Sequence, residues 1–412
     1  MERAISLLGV FALIGLGWLL SDNRKRIAWK VVLWGTVLQF VFALLVLKTD
    51  PGQALFGWFN SVMVNLLGYT KHGSDFVFGP LGDPGKMGGF VFATIVLPTI
   101  IFFSSLMSVL YYLGIMQRVV EGIAKVMVRF LGTSGAETLC AAANIFVGQT
   151  EAPLMIKPYM ERLTRSEYMV VMTSGFATIA GGVMGTYAIM LSMVPDAAGH
   201  LLAASVMSAP AAILFAKLMV PETEDPVTHG VVKIETERKE ANVIDAAAAG
   251  ASQGLMLALN VGAMLIAFIA LVHLVDGILG WAGGLAGAKE FGLDDIFKVV
   301  FAPFALLMGV PMRDAFTVGD WLGQKLVINE FFAYLSMSTR LGTAEPPVSA
   351  RSAIIALYAL CGFSNFSSIG IQLGGIGGLA PSRRGDMARL GLIALTAGSL
   401  ACFQTAAIAG VL

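Results

Sequence analysis

Long windows that contain no Asp, Glu, Lys or Arg limit most strongly how this chain can fold. A helix needs about 20 mainly apolar residues to cross the hydrocarbon core of a bilayer, and about eight windows approach or exceed that length. They lie at residues 4–21, 31–47, 88–115, 168–195, 200–216, 250–275, 352–380 and 390–412. Hydrophobic residues make up 57% of the 412 residues and charged residues only 13%, too few to cover soluble domains. We therefore predict an all-α polytopic membrane protein in a lipid bilayer.

The charge balance and the motifs disfavour several other functions. Lys plus Arg and Asp plus Glu each total 27, so the chain has no basic field of the kind that holds nucleic acid. The sequence contains neither a GxxxxGK[ST] phosphate loop nor an HExxH metal motif. We therefore predict no organic cofactor, no nucleic-acid partner and no ATP-driven pumping by this chain.

Basic residues set the expected orientation in the membrane. One basic cluster, at 24–26, follows the first window, and a second, at 383–389, lies between the last two windows. Both clusters should face the cytoplasm, because Lys and Arg in short loops stay on that side. The amino and carboxyl termini are then on the outer side, and the polar connector at 221–249 is cytoplasmic.

Two segments between the windows are apolar, but each of their halves is too short to cross alone. Polar residues at 148–153 interrupt the first segment, and Asn329 and Glu330 interrupt the second. The window count puts both ends of each segment on one side of the membrane, so we predict two re-entrant helical hairpins with polar tips. Irregular backbone at this depth is tolerated only where protein or a water-filled cavity surrounds it.

The window after each hairpin is itself interrupted, at 178–182 in the first case and at 362–368 in the second. The order of hairpin, broken helix and final helix thus occurs twice, and the two copies should be inverted in the membrane. Inverted repeats whose broken helices meet at the midplane are typical of secondary transporters. A channel and a membrane scaffold without a ligand are the alternatives, but the scaffold leaves two carboxylates unexplained.

Those carboxylates, Glu151 and Glu330, lie within the predicted hairpins. An acidic group at the centre of a membrane helix costs about 2.5 to 3.5 kcal/mol on insertion scales, which favours contact with a substrate or an ion. A structural carboxylate bonded to helix-end amides or to a buried arginine is one alternative. An integral-membrane enzyme with these two residues as acid and base is another, although no second acid pair supports glycosidic hydrolysis.

Neutral polar residues accompany the carboxylates. Gln149 offers both an amide donor and a carbonyl acceptor, which suits the edge of a nucleobase or another amide-bearing solute. Asn365 and Ser368 are three residues apart and share a face if the local helix persists. Beside Glu330 they suit a polyhydroxylated ligand. The alternative for Asn365 and Ser368 is a polar contact between helices.

A cation position is predicted where helices should unwind. Asn144 and Thr178 supply side-chain oxygens close to two such places, where Val147 and Ile179 can offer backbone carbonyls. Carriers use carbonyls released at helix breaks to coordinate coupling ions, so we predict a sodium site here. Helix capping by Asn144 and Thr178 is the alternative.

Three sequence stretches closely resemble the concentrative nucleoside transporter family. They are GQTEAP at 148–153, INEF at 328–331 and ALCGFSNFSSIGI at 359–371, and the likeness extends over most of the chain. The resemblance is to a bacterial member, which implies the cytoplasmic membrane. It also implies eight spans, two re-entrant hairpins, an interfacial helix near 52–70, and a homotrimer in which a scaffold holds a moving transport domain.

The resemblance implies roles for individual residues. Gln149, Thr150 and Glu151 would approach the nucleobase, and Val183 and Leu257 would pack on its faces. The ribose would contact Glu330, Asn365 and Ser368, with Phe363 alongside. The family's sodium position would be formed by Asn144, Val147, Thr178 and Ile179, the second and fourth through backbone carbonyls. Serine is common where Thr178 stands, but the hydroxyl is kept.

These observations together predict cation-coupled symport of nucleosides, including uridine, by alternating access. Sodium is the expected coupling ion, and proton coupling is the alternative because some bacterial relatives use protons. The expected division of the chain is a scaffold with an interfacial helix at 1–132, the first half of the transport domain at 133–220, the connector at 221–249, a long scaffold helix with an outer amphipathic segment at 250–312, and the second half of the transport domain at 313–412.

Overall fold

A computed structural model describes residues 2–82, 91–228, 240–285 and 292–412, and within these ranges the secondary structure is helical with no strand. The helices that precede the first hairpin are α1 Glu2–Leu19, α2 Trp29–Lys48, α3 Asp50–Phe78, α4 Phe92–Ile95, α5 Leu97–Tyr112 and α6 Ile115–Leu131. The interfacial helix expected near 52–70 lies within α3, which extends further at both ends.

The remaining helices contain both hairpins and both helix breaks. They are α7 Gly135–Ala143, α8 Arg165–Ala177, α9 Gly181–Met190, α10 Ala197–Met219, α11 Val243–Leu285, α12 Leu293–Leu307, α13 Met312–Val327, α14 Glu330–Leu341, α15 Ala350–Leu360, α16 Phe366–Leu379 and α17 Arg384–Val411. A 3₁₀ helix at Ala152–Arg162 forms the second arm of the first hairpin.

The helix lengths confirm a polytopic membrane protein. Seven helical stretches among the described residues are long and apolar enough to cross a bilayer. The window at 352–380 is divided into α15 and α16, each too short to be counted, while α8 and α9 are separated only by Thr178–Ala180. Both interruptions expected from the sequence are therefore breaks in the helices.

The order of hairpin, broken helix and final helix occurs twice in the structure. The first copy runs from α7 to α10 and the second from α13 to α17. The two final helices, α10 and α17, pack on each other, and each also packs on the short helix before the break of the other copy. The two repeats are therefore interleaved, which brings their breaks together in the interior.

Buried carboxylates close the base of each hairpin. In the first repeat Glu167 accepts hydrogen bonds from Thr164 N (2.8 Å) and Ser134 Oγ (2.5 Å), which ties the start of α8 to the start of α7. In the second repeat Asp314 accepts from Ser349 N (3.0 Å) and from another serine on α15. These bonds satisfy the unpaired amides at helix starts, so each hairpin is fixed to the helix that follows it.

Part of the connector packs on the base of the first hairpin. Thr228 is buried, and its carbonyl and hydroxyl oxygens accept from Gly135 N (3.0 Å) and Ala136 N (3.2 Å). The connector at 221–249 continues through residues 229–239, which lie outside the described residues.

The long helix α11 crosses α5 through two glycines. A Cβ at Gly250 would lie 2.7 Å from Ser104 O, and one at Gly254 would lie 2.7 Å from Ile101 Cα. Glycines four residues apart allow membrane helices to approach at backbone distance. The crossing therefore depends on the absence of side chains at these two positions.

We expect Gly254→Leu to separate α11 from α5 and to destabilise the protein, because a side chain there would meet the α5 backbone. The measurement is the melting temperature of purified protein in detergent. The matched control is Gly277→Leu on the same helix, where nothing lies within 4 Å of an added Cβ. Equal melting temperatures for the two variants would contradict the close crossing.

Candidate functional site

The two helix breaks contact each other directly. Phe363 N, in the second break, donates to Thr178 O in the first, at 3.2 Å. Gly362 allows this approach, since a Cβ there would lie 2.8 Å from Phe176 O. The tip of the first hairpin joins the same place, because Gly181 N donates to Phe146 O at 2.8 Å. Unwound backbone in a membrane interior must find protein partners, and here each break supplies them to the other.

Glu330 lies at the first position of α14 and is buried. Tyr187 Oη donates to its Oε1 at 2.8 Å, and Asn365 Nδ2 donates to its Oε2 at 3.0 Å. The carboxylate is thus bonded to α9 of the first repeat and to the helix break of the second. Charge-assisted hydrogen bonds of this kind are about twice as strong as neutral ones, so they offset part of the cost of burial.

A second set of bonds connects the first hairpin to the same break. Gln149 Nε2 donates to Ser368 Oγ at 3.3 Å, and Ser368 N donates to Asn365 Oδ1 at 2.9 Å. Gln149, Ser368, Asn365 and Glu330 therefore form one connected chain of polar groups. Four residues singled out from the sequence are brought together.

The other expected substrate residues differ in their placement. Thr150 packs against α16, where a Cβ at Gly375 would lie 2.5 Å from its Cγ2. Val183 is buried on α9, and Phe363 is half-buried in the second break. Leu257 is 37% exposed on α11, whose main packing partner is α5.

The two hairpin carboxylates have different environments. Glu151 is exposed, whereas Glu330 is 5% exposed. Glu151 lies over Gly148, where an added Cβ would meet its Oε2. The insertion-cost argument therefore applies to Glu330, while Glu151 is exposed in this conformation.

The expected cation residues also converge. Asn144 Nδ2 donates to Ser174 Oγ at 3.0 Å, and Thr178 Oγ1 donates to Ser174 O at 2.8 Å, so both contact one residue of α8. Val147 and Ile179 lie in non-helical backbone next to the bond between Phe146 and Gly181.

The hydrogen bonding of Asn144 Oδ1 indicates whether these residues could coordinate a cation. This oxygen is buried and has no hydrogen-bond partner among the described residues. A buried acceptor without a donor is costly and calls for a bound water or ion. Asn144 Nδ2 and the Thr178 hydroxyl do bond to backbone carbonyls, as the capping alternative requires, but this leaves Asn144 Oδ1 available. The oxygen atoms of these residues are therefore suitable ligands for a hard monovalent cation.

Sequence reasoning missed four polar residues of the site: Tyr187, Ser174, Gln372 and Lys325. Tyr187 is fully buried and reads as a core aromatic, since it packs against Tyr334 with ring centroids 4.7 Å apart. Lys325 could have been identified from the sequence, because it is a basic residue in a predicted membrane hairpin. It is 2% exposed and donates to Ala359 O, in the last turn of α15, at 2.9 Å.

We expect Lys325→Met to lower the stability of the fold by about 1–3 kcal/mol, because Ala359 O would be left buried without a donor. Thermal unfolding of purified protein in detergent measures the change. Lys48→Met, at an exposed position in the last turn of α2, is the control. A melting temperature equal to that of the control would show that the bond does not support the end of α15.

Family models match most of the chain. One is described as the Na⁺-dependent nucleoside transporter amino terminus and matches residues 8–81, one is described as nucleoside recognition and matches 93–194, and one is described as the Na⁺-dependent nucleoside transporter carboxyl terminus and matches 200–410.

Individual proteins are similar along the whole chain. The uncharacterized transporter YutK of Bacillus subtilis is 49% identical over 98% of both chains. Sodium/nucleoside cotransporter 1 of Rattus norvegicus is 42% identical over 100% of this chain and 64% of its own length. The structure of CNTnw in an inward-facing substrate-bound state has 44% identity and a TM-score of 0.93, covering 100% of this chain and 98% of that chain.

Proposed function

The chain belongs to the concentrative nucleoside transporter family, and we propose that it carries out sodium-coupled symport of nucleosides, including uridine, into the cell. The family consists of transporters, so an enzyme that uses Glu151 and Glu330 as acid and base is set aside. The observation that carries the proposal is the polar chain from Gln149 through Ser368 and Asn365 to Glu330.

A nucleoside has two chemically different parts, and the polar chain has two matching ends. Glu330, held by Tyr187 and Asn365, accepts hydrogen bonds from ribose hydroxyls, with Ser368 and Phe363 beside the sugar. At the other end the amide of Gln149 contacts the base. Thr150 and Glu151 stand next to it on the hairpin, and Val183 and Leu257 pack on the faces of the base.

Sodium is the proposed co-substrate, held by Asn144 Oδ1, the Thr178 hydroxyl and the carbonyls of Val147 and Ile179. One positive charge that enters down a potential of 100 mV releases about 2.3 kcal/mol. Asn144 and Val147 share the hairpin tip with Gln149, and Thr178 O is bonded to Phe363 N. These residues therefore join the cation position to both ends of the nucleoside site.

Alternating access would depend on the division of the chain into a transport domain and a scaffold. We infer that 133–220 and 313–412 form the transport domain, which moves against the scaffold of 1–132 and 250–312 in a homotrimer. The interleaved packing of α10 and α17 supports movement of both halves as one unit. The proposed location is the bacterial cytoplasmic membrane, with both termini on the outer side.

We expect Glu330→Ala and Gln149→Ala each to lower kcat/KM for uridine at least about tenfold, since each removes a hydrogen-bonding group from the bound ligand. Uptake of labelled uridine into proteoliposomes with an inward sodium gradient is the measurement. Gln404→Ala is the control, because Gln404 is a buried glutamine of α17 that bonds to Thr36 instead. Wild-type uptake by both site variants would refute the assignment.

For the cation position, Thr178→Ser should keep the sodium dependence of uridine uptake, whereas Thr178→Val should raise the half-saturating sodium concentration about tenfold. The reason is that only the valine removes an oxygen donor. Uptake is measured with sodium replaced stepwise by choline at two pH values. Uptake that persists in choline and follows the pH gradient would replace sodium with protons as the coupling ion.

A further inference from the structure

We propose that Gln372 is a positioning residue that fixes the orientation of the Gln149 amide, so that Gln149 offers its Nε2 donor to the nucleobase. The transporter then favours bases that present a carbonyl or imine acceptor at that edge. The inference rests on the proposed nucleoside site, and it assigns a specificity role to a residue that does not itself contact the ligand.

The orientation of Gln372 follows from a backbone carbonyl. Gln372 is fully buried on α16, and its Nε2 lies 3.1 Å from Met172 O. A carbonyl oxygen can only accept, so the nitrogen of Gln372, and not its oxygen, must face Met172. The usual ambiguity between amide oxygen and nitrogen is thereby removed for this side chain.

The same nitrogen determines the orientation of Gln149. Gln372 Nε2 also lies 3.0 Å from Gln149 Oε1, and it has a second proton to donate. If the Gln149 amide were rotated by half a turn, its nitrogen would face the nitrogen of Gln372, with two donors opposed and no acceptor between them. A buried donor without an acceptor is costly, so one orientation is strongly favoured.

The consequence appears at the other end of the Gln149 amide. Its Nε2 lies on the side of Ser368, whose Oγ is 3.3 Å away, and Ser368 leads through Asn365 to the ribose end of the polar chain. The oxygen of Gln149 is directed towards Gln372. The group offered to the ligand is therefore a donor, which requires an acceptor on the base.

The backbone of α8 leaves room for this pair of glutamines. A Cβ at Gly175 would lie 2.8 Å from Gln149 Cβ and 2.8 Å from Gln372 Nε2. Met172, which accepts from Gln372, lies one turn earlier on the same helix. The first hairpin, α8 and α16 therefore meet at one contact that spans both repeats.

The test measures how strongly uptake depends on each acceptor of the base. Wild type, Gln372→Met and Gln372→Glu are compared in proteoliposomes for kcat/KM of uridine, of 4-thiouridine and of 2-thiouridine, in which sulfur, a weak acceptor, replaces O4 or O2 while the N3 proton is kept. Gln372→Met has no donor. The carboxyl group of Gln372→Glu cannot donate to both Met172 O and Gln149 Oε1, so the Gln149 amide is free to rotate. Gln404→Met is the matched control.

In wild type we expect the sulfur substitution at the acceptor that Gln149 contacts to lower kcat/KM about tenfold, the value of one hydrogen bond. That penalty should largely disappear in both Gln372 variants while sodium dependence is kept, and it should persist in Gln404→Met. The same penalty in wild type and in a folded Gln372 variant would overturn the inference, as would the absence of a penalty for either acceptor in wild type. Failure of wild type to take up any nucleoside would instead refute the proposed function.

Discussion

The hydrogen bond from Phe363 N to Thr178 O joins two interrupted helices, and the arrangement of the site depends on it. Backbone groups released from a helix have no water to bond in the membrane interior, so an isolated break would be unstable there. Interleaving of the two repeats lets each break serve as the partner of the other, with Gly362 leaving the space. Because the helix ends face the same interior volume, side chains from both repeats and both hairpins can converge on one ligand.

Much of this architecture could be predicted from where charged and helix-breaking residues fall in the sequence. Charge-free windows located the spans. Polar residues in the segments between the windows located the hairpin tips, and interruptions within two windows located both breaks. Glu330 was identified because a carboxylate in such a place is costly, and Asn365 and Ser368 because of their spacing. These signals are local in the chain, and they are independent of which helices become neighbours.

Contacts between distant segments could not be predicted in this way. Tyr187 bonds to Glu330 across 143 positions and Gln372 bonds to Gln149 across 223, and neither residue type signals such a partner by itself. The exposure of Glu151 likewise depends on the conformation of the hairpin tip, which hydropathy does not report. Lys325 differs from these cases, since its burial cost was visible in the sequence and only its partner, Ala359 O, was not.

Lys325 and Asn144 also show how the two repeats differ in charge. Each lies on the first arm of its hairpin and bonds to the last turn of the short helix that precedes a break, Lys325 to Ala359 O and Asn144 to Ser174 Oγ. Helix carboxyl ends carry partial negative charge, which a nearby cation stabilises. The second repeat supplies that cation covalently as the Lys325 ammonium, whereas the neutral Asn144 leaves an acceptor oxygen without a donor among the described residues. A mobile cation beside Asn144 and Thr178 would supply the missing positive charge in the first repeat, which supports the proposed position of the coupling ion.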